Sequence, residues 1–99
     1  MIRNVVMGKL REGDDPEADL EQLNRGLGGI AALTLPGLLA NRVGLDEGLR
    51  DGGWSFAITN DWIDVDAYLG YDTDPEHNGY RAMIAEVCEQ VARVQFEID

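Results

Sequence analysis

The only histidine of the chain, His77, is the natural starting point for chemistry, because a neutral imidazole can take up and return a proton near neutral pH. It stands three residues past Asp74, in Asp74-Pro75, a cap-then-proline signal that opens a helix, and so belongs to the first helical turn. Unpaired N–H groups and the positive end of the helix dipole disfavour an imidazolium there, whereas Asp74 and Glu76 push the other way. Two readings follow. His77 is a general base, or it is a helix-start residue whose ring bonds a nearby backbone or carboxylate group.

The residues that would surround such a base are Val6, Gly8, Phe56, Ile58, Asn60, Tyr68, Tyr80 and Met83, which fall on faces expected to converge between helices and sheet. They are the candidate ligand-binding set, although tyrosine and methionine serve as readily in a core. Gly8, inside a strand, either leaves room for a ligand or lets a helix pack closely on the sheet. Asn60, on an otherwise aromatic and aliphatic face, needs partners if buried, such as Tyr68 or a ligand oxygen; at a strand end it would meet water. One histidine, one unpaired cysteine (Cys88) and scattered carboxylates do not compose a zinc or iron site. Asp61, Asp64 and Asp66 suit capping and solvated roles better than Mg²⁺ or Ca²⁺. Without a GxGxxG, a P-loop or a nucleophile elbow, no cofactor is implied.

The elements that must position these groups can be read from periodicity. Residues 2–10 alternate, with Ile2, Asn4, Val6, Gly8 and Leu10 on one face and Arg3, Val5, Met7 and Lys9 on the other. Asp15-Pro16 opens a helix whose stripe is Leu20, Leu23, Leu27 and Ile30. Gly26, Gly28 and Gly29 imply fraying or a close backbone approach near its end. After Pro36-Gly37 the stretch LLANRVGLD forms a second strand, and 47–53 reads as a solvated connection. Trp54 to Trp62 alternates as a third strand, with the two tryptophans capping the ends of its covered face. Asp64 caps a short helix through Tyr71, and the helix from Asp74-Pro75 is expected to run to about Val91, placing Cys88 in its apolar pattern. A final strand puts Ala92, Val94, Phe96 and Ile98 on one side. The order β-α-β-β-α-β predicts an α+β, ferredoxin-like fold: a four-stranded antiparallel sheet with helices on one face. The other face, judged from Val5, Met7 and Ala57, is moderately apolar.

At 99 residues the chain is expected to fold around one core, as a single domain spanning 1–99. The net charge of −11 argues against nucleic acid and anionic membranes as partners and reads as a solubility device, with a cationic partner as the alternative. With a lone cysteine, no apolar run of bilayer length and a strand beginning at Met1-Ile2-Arg3, the cytoplasm is the expected compartment.

The opening IRNVVMGKL, the Leu35-Pro36-Gly37 turn into a strand with Val43-Gly44, the strand opened by Gly53, and YDTDPEH before the last helix together resemble the stress-responsive A/B-barrel (Dabb) family over nearly the whole chain. That resemblance implies a homodimer in which two ferredoxin-like sheets pack face to face into an α/β-barrel. The chain departs from the family pattern at Asn4, where a histidine is usual, and at Asp74-Pro75-Glu76-His77, where His-Pro-x-His is usual. A plant relative is a polyketide cyclase using a histidine and a tyrosine, and His77 and Tyr71 occupy the matching positions. The resemblance thus implies cofactor-free, cyclase- or lyase-like chemistry on a small hydrophobic or aromatic ligand. His77 would remove a proton and Tyr71 would hold the enolate or carbonyl oxygen. The alternatives are a non-enzymatic, stress-associated assembly protein and a haem-binding or monooxygenase-like relative with His77 as axial ligand.

Overall fold

Strand β1 (Ile2–Leu10) is flanked on both sides, because its long alternating run offers a backbone ladder to two neighbours at once. In the computed structural model, which describes residues 1–99, it is followed by α1 (Pro16–Ala31), β2 (Leu38–Leu45), β3 (Phe56–Trp62), α2 (Val65–Thr73), α3 (Pro75–Glu86) and β4 (Cys88–Glu97). The strands lie in the order β2-β3-β1-β4, all neighbours antiparallel, and the fold is ferredoxin-like. No helix is long and apolar enough to cross a membrane.

Each helix begins where the sequence signals it. The Asp15, Asp64 and Asp74 carboxylates accept from the backbone N–H of Ala18, Ala67 and His77, at 3.1, 2.9 and 2.9 Å. The main core joins Leu23, Leu27 and Ile30 of α1 to Phe56 and Ile58 of β3 and to Ile84 and Val87 at the end of α3. A second cluster joins Leu33, Trp62 and Tyr71. Leu20 does not belong to the buried stripe; it is exposed, and its neighbour Asp19 is buried instead, held by Arg11 at 2.9 Å. The glycines near the end of α1 divide by role. A methyl on Gly26 would meet Ile84 and one on Gly29 would overlap the Tyr80 ring, whereas Gly28 faces open space. Close approach of α1 to α3, and not fraying, explains the first two.

Three boundaries differ from the periodicity reading. Helix α3 stops at Glu86 instead of about Val91, because β1 needs a partner along its whole length and β4 supplies it from Cys88, opposite Leu10. Cys88 is therefore a half-buried strand residue packed against the core. Strand β3 starts at Phe56, and Gly52, four residues earlier, turns the chain at φ +78°. Trp54 consequently lies outside the strand, while Trp62 is fully buried on the covered face.

The alternation of β1, β3 and β4 leaves one sheet face without helices. It carries Val5, Met7, Ala57, Ala92, Val94 and Phe96, beside the Arg3–Asp61 ion pair at 2.8 Å. Met7, Val94 and Phe96 are exposed. This face is more apolar than Val5, Met7 and Ala57 alone suggested, because β4 adds Val94 and Phe96 to it.

Candidate functional site

The ring of His77 folds back from the first turn of α3 onto the last turns of α2. Its Nδ1 lies 2.8 Å from the carbonyl oxygen of Tyr71, and the two rings stack with centroids 3.7 Å apart and planes 24° from parallel. A carbonyl oxygen only accepts, so Nδ1–H is the donor and Nε2 keeps the free lone pair. Nε2 has no protein partner, yet no buried polar side-chain atom lacks a hydrogen bond, so Nε2 keeps an open surface. The residue as a whole is only 5% exposed. Burial is the main cause holding its pKa below the ordinary value of 6.5, with the Arg81 charge adding to the depression and the bond to Tyr71 opposing it. Burial thus favours the neutral imidazole, in the same direction as its place at a helix start.

Tyr71 is fixed from the other side by amides drawn from all four strands. Asn41, Asn60, Asn4 and Gln95 face one another in register across β2, β3, β1 and β4. Their orientation follows from one donor. Indole N–H of Trp62 can only donate, and it reaches Oδ1 of Asn60 at 2.8 Å. Asn60 Oδ1 therefore also accepts from Asn4 Nδ2 at 3.0 Å, and Asn4 Oδ1 from Gln95 Nε2 at 2.9 Å. On its far side Asn60 Nδ2 donates to the Tyr71 hydroxyl at 3.3 Å and to Asn41 Oδ1 at 3.4 Å; Asn41 Nδ2 ends the row on the Ile30 carbonyl at 2.8 Å. Since Tyr71 Oη accepts from Asn60, its own proton is free for another acceptor. Burial raises the Tyr71 pKa above its ordinary value, against the opposing bond from Asn60, so the phenol stays protonated.

A cavity of about 50 Å³ lies over the β1–β4 side of the sheet, where α2 and α3 part. Asn4, Val6, Ile58, Val91 and Arg93 line it from the strands, and Tyr68, Tyr71, Asp72, His77, Arg81, Ile84 and Ala85 from α2 and α3, with Ile30 from α1. Of the residues singled out in the sequence, Val6, Ile58, Tyr68, Tyr71 and His77 come together here. Gly8, Phe56, Asn60, Tyr80 and Met83 do not. Gly8 stands opposite Phe56 in the ladder and is covered by that ring, which fills the space a ligand would need. Asn60 lies behind Tyr71; Tyr80 packs over Gly29, and Met83 is half-buried outside the cavity. The sequence reading missed the other eight lining residues, among them Asn4, Arg81, Val91 and Arg93. Val91 lies where the periodicity predicts helix, and Arg93 alternates with Ala92 and Val94 and so falls on the other side of β4. A shallower depression of about 590 Å³ lies beside the β2–β3 connection, lined by Met7, Leu45, Leu49 and Trp54 among others, with no histidine or cysteine in its walls.

The three acidic residues weighed as cation ligands have other duties or stand alone. Asp61 binds Arg3, Asp64 caps α2 and Asp66 sits in its first turn.

No family model matches the chain, and no curated protein does. Solved structures do. A dimeric ferredoxin-like protein of unknown function from Thermobifida fusca is 28% identical, with a TM-score of 0.83 over 98% of this chain and 90% of that one. A dimeric protein of unknown function and ferredoxin-like fold from Bacteroides fragilis is also 28% identical, with a TM-score of 0.85 over 98% and 95%. The hydroxynitrile lyase of Passiflora edulis is 17% identical, with a TM-score of 0.77 over 99% and 93%, a likeness of fold.

Proposed function

We propose that this chain is a cofactor-free acid–base protein of the A/B-barrel kind that makes or breaks a carbon–carbon bond in a small hydroxyl or carbonyl compound. The observation that carries the reading is the tautomer of His77. Its Nδ1–H is committed to the Tyr71 carbonyl, which leaves Nε2 with a free lone pair on a neutral ring that lines the cavity. In the cleavage direction Nε2 takes the substrate's hydroxyl proton, the carbon–carbon bond breaks as the carbonyl forms, and the proton passes to the departing carbanion. Tyr71, held protonated with its hydrogen free, donates to the substrate oxygen as charge develops there. The hydroxynitrile lyase among the fold's relatives performs a reaction of this class by name, which supports the choice.

A cavity of this size encloses only a few non-hydrogen atoms, which favours a small substrate. The test is a panel of small cyanohydrins and β-hydroxy ketones, with carbonyl release measured for wild type and His77→Gln. The wild type is expected to cleave at least one compound, and the variant to be slower by about 100-fold or more while keeping its circular dichroism. Equal rates in the two proteins would overturn the reading.

A second reading, a stress-associated assembly protein without catalysis, is favoured by the bare apolar face around Val94 and Phe96. The two readings share one feature: the working form is a homodimer joined through that face, in keeping with the dimeric relatives. With its single cysteine half-buried in β4, the chain fits a cytoplasmic setting, and its 99 residues act as one domain.

A further inference from the structure

The cavity that holds His77 is bordered by two of the eight basic side chains of a protein whose net charge is −11. Asp72 is the only acidic residue among its walls, and it is engaged with Arg81. Arg81 Nη1 reaches the Asp72 carboxylate at 2.8 Å, its Nη2 the Asp72 carbonyl at 3.3 Å, and Nη2 also bonds the Asn78 side chain. These bonds hold one guanidinium in a set orientation. Arg93 is different. It projects from β4 opposite Val6, is exposed, and makes neither an ion pair nor a side-chain hydrogen bond. The rim therefore carries an uncompensated positive charge with a full set of unused donors, above an interior of Val6, Ile58, Ile84 and Val91.

We propose that the substrate of this site is a small carboxylate, with its acid group bound at the Arg81–Arg93 rim and its short carbon skeleton in the apolar interior against His77. The inference rests on the acid–base reading above and adds the charge of the molecule that site accepts. Size and chemistry agree: the interior holds only a few non-hydrogen atoms, so a charged group must stay at the mouth, where guanidinium donors can pair with both carboxylate oxygens. Keeping that charge at the mouth also spares the neutral His77 from facing it in a desolvated interior.

The test compares propionate with propionamide, which match in shape and differ in charge, using the proton resonances of the single histidine ring as the reporter. Propionate is expected to shift His77 and to bind about fivefold more tightly than propionamide, with added salt weakening propionate alone. Arg93→Gln, on an exposed strand position that should not disturb folding, is expected to bring the ratio of the two affinities close to one. An equal affinity for both probes, an unchanged ratio in Arg93→Gln, or a His77 resonance unmoved at the highest concentration of either probe overturns the inference. Binding is read without turnover. A carboxylate preference in a protein that cleaves nothing would defeat the acid–base reading alone, and cleavage of neutral compounds without that preference would defeat only the anionic substrate.

Discussion

His77 shows what a single residue reveals before and after folding. Its candidacy could be read from the sequence, because one histidine at a helix start has few roles. Its tautomer could not, since that depends on the Tyr71 carbonyl arriving at 2.8 Å from the preceding helix. Burial depresses its pKa, so the unfolded chain takes up a proton at a higher pH than the folded one. The His77 contribution to stability is whole above 6.5 and is lost as pH falls from 6.5 towards the folded value. Proton NMR of the one histidine should give a midpoint below 6.5, and a midpoint at or above it would contradict a desolvated ring. The amide row was less legible still. Asn4, Asn41, Asn60 and Gln95 lie far apart in the chain, and only the strand register aligns them. Asn60→Leu strands the Trp62 indole N–H and the Asn4 amide without an acceptor. It should cost about 3 kcal/mol in urea unfolding. A loss below about 1 kcal/mol would mean that the row rearranges without penalty.

Among the elements, the aspartate caps and their prolines were legible because a start signal is local, whereas ends are set by partners. Helix α3 gives way to β4 at Cys88 because β1 offers a ladder there, and nothing within residues 87–91 announces it. The glycines of α1 make the same point about packing. Gly28→Ala adds a methyl into open space in a helix and should stabilise the protein by about 0.5–1 kcal/mol. Gly29→Ala, one residue on, forces the Tyr80 ring to move and should destabilise by about 1–3 kcal/mol. Thermal unfolding of the pair checks both signs; two stabilising substitutions would show that α1 and α3 are not tightly joined at Gly29.

At the scale of the whole molecule, the ferredoxin-like topology followed from the order of periodic segments, but the character of the bare sheet face did not. Its apolar weight comes from Val94 and Phe96 of β4, whose side of the sheet is set only by the register with β1. Phe96→Glu together with Val94→Glu should convert a dimer into a monomer with unchanged circular dichroism, as measured by light scattering. A wild type that is already monomeric, or a dimer untouched by both charges, would remove that face as the interface. The two tryptophans occupy different surroundings: Trp54 borders the depression near the β2–β3 connection, and Trp62 is buried with its ring 4.8 Å from Tyr71, which in turn stacks on His77. That separation gives the protein its own optical gauge. In a Trp54→Phe background the remaining indole emits from beneath the cavity, so its fluorescence follows the filling of the site and the protonation of the imidazole without any added label.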